Sequence, residues 1–132
     1  METREIIKPN SLSECSVLIP GSKSYTNRAL IMAALTPHQV IIRNPLESDD
    51  TEAMMSCLSE LGIRIEKKFQ EIHVLGDIRD VKEKEYVLNA RISGTTIRFI
   101  TALAALVPGN KKIEGLEGLN KRPIGVLVDG LI

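Results

Sequence analysis

The chain has 132 residues, 43% of them hydrophobic, with 17 Lys and Arg against 17 Asp and Glu, so it can build one folded core and has no net charge. Only 3% of the residues are aromatic and no basic run occurs, which removes the phosphate-binding and base-stacking footprints of a nucleic-acid partner. Cys15 and Cys57 have no Cys or His at ligand spacing, so reduced thiols and no metal are expected, and no apolar run reaches the roughly 18 residues of a membrane span.

In chain order, the charged start Met1-Glu2-Thr3-Arg4-Glu5 has no apolar leader segment, and a soluble, cytoplasmic protein is expected. The apolar stretch ending at Ile19-Pro20 predicts a short strand. It opens through Gly21-Ser22-Lys23-Ser24 into a helix from about Ser24 to Leu35, whose unbroken apolar run Ala29 to Leu35 predicts burial on nearly every face. Val40-Ile41-Ile42 reads as a strand. Ser48-Asp49-Asp50-Thr51-Glu52 supplies N-cap candidates for a second helix, with Asp49 and Glu52 at capping-box spacing. In that helix Met54, Leu58 and Leu61 fall at i, i+4 and i+7, and Gly62 is placed as its C-cap. Ile63 and Ile65, then Ile72 and Val74, alternate as two strands of a hairpin.

The same order then restarts after roughly 70 residues, above the ordinary solenoid period. Ser93-Gly94-Thr95-Thr96 opens a second apolar helix, Lys112-Ile113 lies in a strand, and Pro123 takes the first position of a further helix. Each unit reads βαβαββ, an α/β (α+β) pattern: residues 21–85 hold a complete unit and 86–132 a second that stops at Leu131-Ile132 before its hairpin. Such a stop would leave apolar surface uncovered, so the chain is expected to be a piece of a larger protein.

Gly21-Ser22-Lys23-Ser24 carries the chemistry. At a helix start it offers unpaired backbone N–H groups, two hydroxyls and an ammonium, with the Arg28 guanidinium one turn further on, a set that suits a phosphate or carboxylate. It is not a P-loop, because Lys23 follows Pro20-Gly21-Ser22 with no earlier loop glycine, and the alternative is a surface turn with a solvated lysine. Arg28 on a buried apolar helix needs an anion, either a ligand or a structural carboxylate. Arg122 at a helix start opposes the helix dipole, which favours a bound anion over plain solvation. Asp49 and Asp50 read as capping and dipole compensation, His38 and His73 as surface residues, and Met54 and Met55 as core.

Three blocks in register, Pro20-Gly21-Ser22-Lys23-Ser24, Asn27-Arg28-Ala29-Leu30 and Lys121-Arg122-Pro123-Ile124-Gly125, resemble the 5-enolpyruvylshikimate-3-phosphate synthase family. The resemblance implies two domains, each an inside-out barrel of three βαβαββ units with sheets outside, helices inside and the active site between. Residues 1–132 would be part of the N-terminal domain, with 1–20 the strand that crosses to the other. It further implies transfer of enolpyruvyl from phosphoenolpyruvate to shikimate 3-phosphate, part of aromatic amino acid biosynthesis. No metal or organic cofactor is involved, and the missing C-terminal portion of the same enzyme would be the partner. Lys23 would be catalytic, lying between the two substrates. Ser24 and Arg28 would hold shikimate 3-phosphate, Arg28 through its carboxylate, while Gly94 and Thr95 approach phosphoenolpyruvate and Arg122 binds it; at Gly94 and Thr95 an ordinary N-cap is the alternative. The chain departs from the pattern at Arg91-Ile92, where the family carries Gly-Asn, and lacks the first arginine of Arg-Met-x-x-Arg-Pro. A left-handed glycine replaced by Arg91 would strain the turn. The family's acid/base carboxylates would lie beyond Ile132. A non-catalytic anion-binding or structural fragment, or a degenerate homologue, is the alternative; the related transferase acting on UDP-N-acetylglucosamine lacks Gly-Ser-Lys-Ser.

Overall fold

Ser22, Ser48 and Ser93 cap the starts of the three long helices of the computed structural model, which describes residues 3–5, 7, 14 and 16–132. Helix α1 (Lys23–Ala34) is followed by β1 (Val40–Arg43), α2 (Asp49–Glu60), β2 (Ile65–Lys68) and β3 (Glu71–Val74). After a 3-10 turn at Ile78–Asp80 come β4 (Tyr86–Asn89), α3 (Gly94–Ala104), β5 (Lys111–Glu114) and two short helices, α4 (Glu117–Asn120) and α5 (Gly125–Asp129). Alternating helices and strands make an α/β fold consistent with an incomplete enolpyruvyltransferase-like repeat.

β3 is the central strand of an antiparallel sheet in the order β1-β3-β2, where Val74 pairs with both Val40 and Ile65. β4 and β5 pair in parallel, from Tyr86 opposite Lys111 to Asn89 opposite Glu114, as a strand-helix-strand crossover through α3 requires. The core lies where α2 packs on α1 and α3 above the strands: Leu30, Met54, Leu58, Leu61, Leu88 and Ile100 are fully buried. Met54 and Met55 are core residues, and Cys57 is buried beside them, its thiol pushed up to about 11 by that burial. Cys15 lies outside the described residues.

α2 shows how local sequence sets the ends. Ser48 is the N-cap and forms a reciprocal capping box with Thr51, not the Asp49/Glu52 pair expected, because the helix starts one residue earlier and puts Thr51 at the third helical position, where each hydroxyl accepts from the other residue's backbone N–H. At the other end Gly62, at φ +98°, donates to the Ser59 carbonyl at 2.9 Å while Ile63 donates to Leu58 at 3.0 Å. This is a Schellman closure, in which glycine takes the left-handed position after the C-cap Leu61.

Several expectations need correction. α1 is buried on one side only: Met32 is 67% exposed and Leu35 is also open, because α2 and α3 cover a single face. Val17, Leu18 and Ile19 are exposed and form no strand, since no neighbouring strand among the described residues offers them a ladder. The crossing strand expected over residues 1–20 lies largely outside the described residues. Pro123 precedes α5 by two residues and is not its first residue; α4, with Leu119 buried, was not anticipated. His73 is buried, held between Gln39 and Glu71 on the sheet face away from the helices.

Candidate functional site

The first turns of α1, α2 and α3 meet at one end of the helix layer. Lys23, the first residue of α1, reaches the Asp50 carboxylate of α2 at 2.7 Å, and Thr96 of α3 donates its hydroxyl to the Asp50 carbonyl at 3.1 Å. What brings α1 in so closely is Gly21: a Cβ there would overlap the Asn44 carbonyl oxygen, so only glycine lets the chain pass behind β1 into the helix. Thr26 fastens the same junction by accepting from the Leu46 N–H at 3.0 Å.

A cleft of about 610 Å³ opens above these three helix ends. Lys23, Ser24, Arg28, Gly94, Thr95 and Arg122 all border it, and so do Asp50, Ile92, Arg98 and Phe99. Positive helix ends on one cleft favour an anion. The caps leave donors free: Ser22 accepts from Tyr25 N only at a stretched 3.5 Å, and Ser93 accepts from Thr96 N at 3.1 Å, so the N–H groups before those positions have no intrahelical partner.

The charges are unbalanced. Hydrogen bonds from Lys23 and then Ser93 hold the Asp50 carboxyl below the usual carboxylate range, so it is ionised and neutralises Lys23. Arg28, Arg98 and Arg122 have no carboxylate partner among the described residues. Arg98 donates to two carbonyls, Gly94 at 3.2 Å and Pro123 at 3.2 Å, which orients its guanidinium without cancelling its charge. Arg122 Nη1 lies 3.0 Å from where a Gly94 Cβ would stand, against the positive end of α3.

Arg28 and Arg122 border the cleft from surroundings other than those expected. Arg28 is exposed rather than buried, so its need for an anion comes from facing the cleft and not from desolvation. Arg122 is not at the start of its own helix but just past α4, donating its N–H to Leu119 O; the dipole it opposes is that of α3. Asp50 stands in the first turn of α2, as dipole compensation requires, and its carboxylate is also the partner of Lys23. Arg98 and Phe99 were not singled out. Arg98 was legible in principle, because it stands at i+4 from Gly94 and therefore on the same helix face.

Arg91 adopts φ 52°, the left-handed region, with its N–H bound to Asn89 Oδ1 at 2.8 Å and its carbonyl accepting from Leu116 N at 2.7 Å. The turn thus keeps the shape a glycine would suit, and Ile92 is left 57% exposed on the cleft wall. Among the described residues no group of three or more His, Cys, Asp or Glu is placed to hold a metal ion, and no helix is long and apolar enough to cross a membrane.

Residues 7–132 match the family model described as EPSP synthase (3-phosphoshikimate 1-carboxyvinyltransferase). Over 127 residues the chain is 41% identical to the 3-phosphoshikimate 1-carboxyvinyltransferase of Nostoc punctiforme, covering 95% of this chain and 30% of that protein. The Cupriavidus necator enzyme of the same name is 39% identical over 123 residues, 93% of this chain and 28% of its own length. The solved EPSP synthase from Acinetobacter baumannii superposes with a TM-score of 0.78 at 23% identity, over 86% of this chain and 26% of that one, a likeness of fold. The chain spans about a third of the length of these relatives, and with the family model matched along almost all of it, it belongs to the EPSP synthase family.

Proposed function

We propose that the cleft binds small phosphate- and carboxylate-bearing substrates, and that the chain supplies one wall of the site in which enolpyruvyl passes from phosphoenolpyruvate to shikimate 3-phosphate. The observation that carries this is the surplus of cations: Lys23, Arg28, Arg98 and Arg122 face one cleft at three positive helix ends, against the single carboxylate of Asp50. Such a surplus is costly on a bare surface and is relieved by a bound polyanion.

In this reading Lys23 bridges the two substrates. Its Asp50 partner holds the ammonium at the cleft, where it stabilises the negative charge that moves as the substrate hydroxyl adds and phosphate leaves. Ser24 and Arg28 take shikimate 3-phosphate, the planar guanidinium meeting its carboxylate. The backbone N–H groups of Gly94 and Thr95 and the Arg122 guanidinium take phosphoenolpyruvate. Residues 21–85 and 86–132 are then successive units of a helix-lined barrel, completed by a further lobe of a cytoplasmic enzyme.

The test is an NMR titration of the chain with inorganic phosphate and with shikimate 3-phosphate. Amide shifts are expected across 21–28 and 94–98 and at Arg122, weakening as salt rises because the cleft is open to water. Shifts confined to other parts of the chain would overturn the placement. The exposed Ile92 on the cleft wall, where the family carries a polar residue, favours a second reading in which the chain binds anions without catalysis.

A further inference from the structure

Arg122 stands between α4, anchored by the buried Leu119 and by Asn120 bonded both ways to Gly115, and the loosely held α5. α4 and α5 on either side have no side-chain cap, α5 has no buried residue, and the Arg122 side chain is exposed and makes no hydrogen bond or ion pair among the described residues. Yet its guanidinium is held against the first turn of α3, 3.0 Å from the Cβ position of Gly94. The guanidinium is cationic and the end of α3 is positive, so electrostatics alone would push this segment outward.

The contact that opposes this comes from Arg98. Its Nη1 donates to the Gly94 carbonyl and its Nη2 to the Pro123 carbonyl, each at 3.2 Å, so one planar fork ties the first turn of α3 to the residue that follows Arg122. A guanidinium sets its donors on separate nitrogens in a rigid planar fork; an ammonium's three donors radiate from one nitrogen on a flexible stem and do not reproduce that fork. Building on the anion-binding reading above, we infer that Arg98 is a positioning residue: it staples the 121–124 segment to α3 and so presents Arg122 to a phosphate or carboxylate in the cleft. Two of its five N–H donors, one on each terminal nitrogen, are engaged by the two carbonyls. Its contribution to affinity runs through Arg122.

The test uses the full chain, inorganic phosphate as the probe, and Arg98→Lys, which keeps the charge but loses the rigid fork that spans the two carbonyls. Phosphate affinity, read from the Gly94 and Thr95 amides, is expected to fall about fivefold in Arg98→Lys, with the melting temperature within about 2 °C of the parent. Arg122→Ala is expected to weaken binding as much, and Arg98→Lys added to Arg122→Ala to cost nothing more, since both remove one interaction. Parental affinity in Arg98→Lys, or losses that multiply in the double variant, would overturn the inference, because either makes Arg98 an independent charge. Amide hydrogen exchange decides the staple without a ligand. The Arg122 and Leu127 amides, bonded to the Leu119 and Ile124 carbonyls, are expected to exchange about tenfold faster in Arg98→Lys, and unchanged exchange would refute it. A parent chain showing no phosphate shift at Gly94 but faster exchange in the variant would defeat the binding reading and leave the staple standing.

Discussion

Arg91 is the residue at which local strain and ligand chemistry coincide. At φ 52° an L-residue other than Asn or Gly is disfavoured, and the conformation persists because Asn89, Ala90 and Leu116 bond the turn on both sides. Beside it, Ile92 gains little from burial, being more than half exposed. Replacing Arg91→Gly together with Ile92→Asn is therefore expected to stabilise the chain by about 1 kcal/mol and to add a polar group to the cleft. Thermal melts with and without phosphate check this. Were Ile92 packed in the core, the double change would cost roughly 2 kcal/mol instead, so a lower melting temperature without tighter binding would refute the open-turn geometry.

At the scale of elements, the site depends on how the chain enters α1. Gly21 passes so near the Asn44 carbonyl and the Leu46 N–H that a methyl group has no room, and both neighbours are backbone and cannot swing aside. Gly21→Ala is expected to push the start of α1 away from β1, destabilising by about 1–3 kcal/mol and breaking the 2.7 Å Lys23–Asp50 pair. Denaturant melts measure the first effect, and a rise in the Asp50 pKa toward the ordinary range, followed by carboxyl NMR, measures the second. An unchanged Asp50 titration would mean that the helix start is set elsewhere. The element boundaries themselves were largely legible: the Ser48 and Ser93 hydroxyls, the left-handed Gly62 and the alternation in Ile72 and Val74 act within a few residues, and sequence patterns record such local effects well. Pro123 misled because proline opens loops as readily as helices.

For the molecule as a whole, α1 and α3 leave an apolar groove between Ile31, Leu35, Phe99 and Leu106 on the side that α2 does not reach. The cleft likewise has cations on the one wall described, and its single carboxylate is engaged with Lys23. Chemistry between two bound anions needs both to be held in line and an acid/base group free to move protons. The chain alone is therefore expected to show no phosphate release from phosphoenolpyruvate and shikimate 3-phosphate over hours. Turnover that disappears in Lys23→Ala would contradict this.

The sequence by itself determined the order of the elements from α1 to β5, the Gly62 end of α2, the Met54, Leu58 and Leu61 core face and the family, because each rests on short-range spacing or on motifs that survive without a structure. It also identified Lys23, Ser24, Arg28, Gly94, Thr95 and Arg122 as candidates. Only the tertiary structure decided that residues as far apart as Lys23 and Arg122 border one cleft, that Asp50 is the counter-charge of Lys23, that Arg98 ties the two ends together, and that one face of α1 stays open. Those facts depend on which helices pack side by side. Packing is settled by the sum of many long-range contacts in the core, and no single stretch of the chain encodes it.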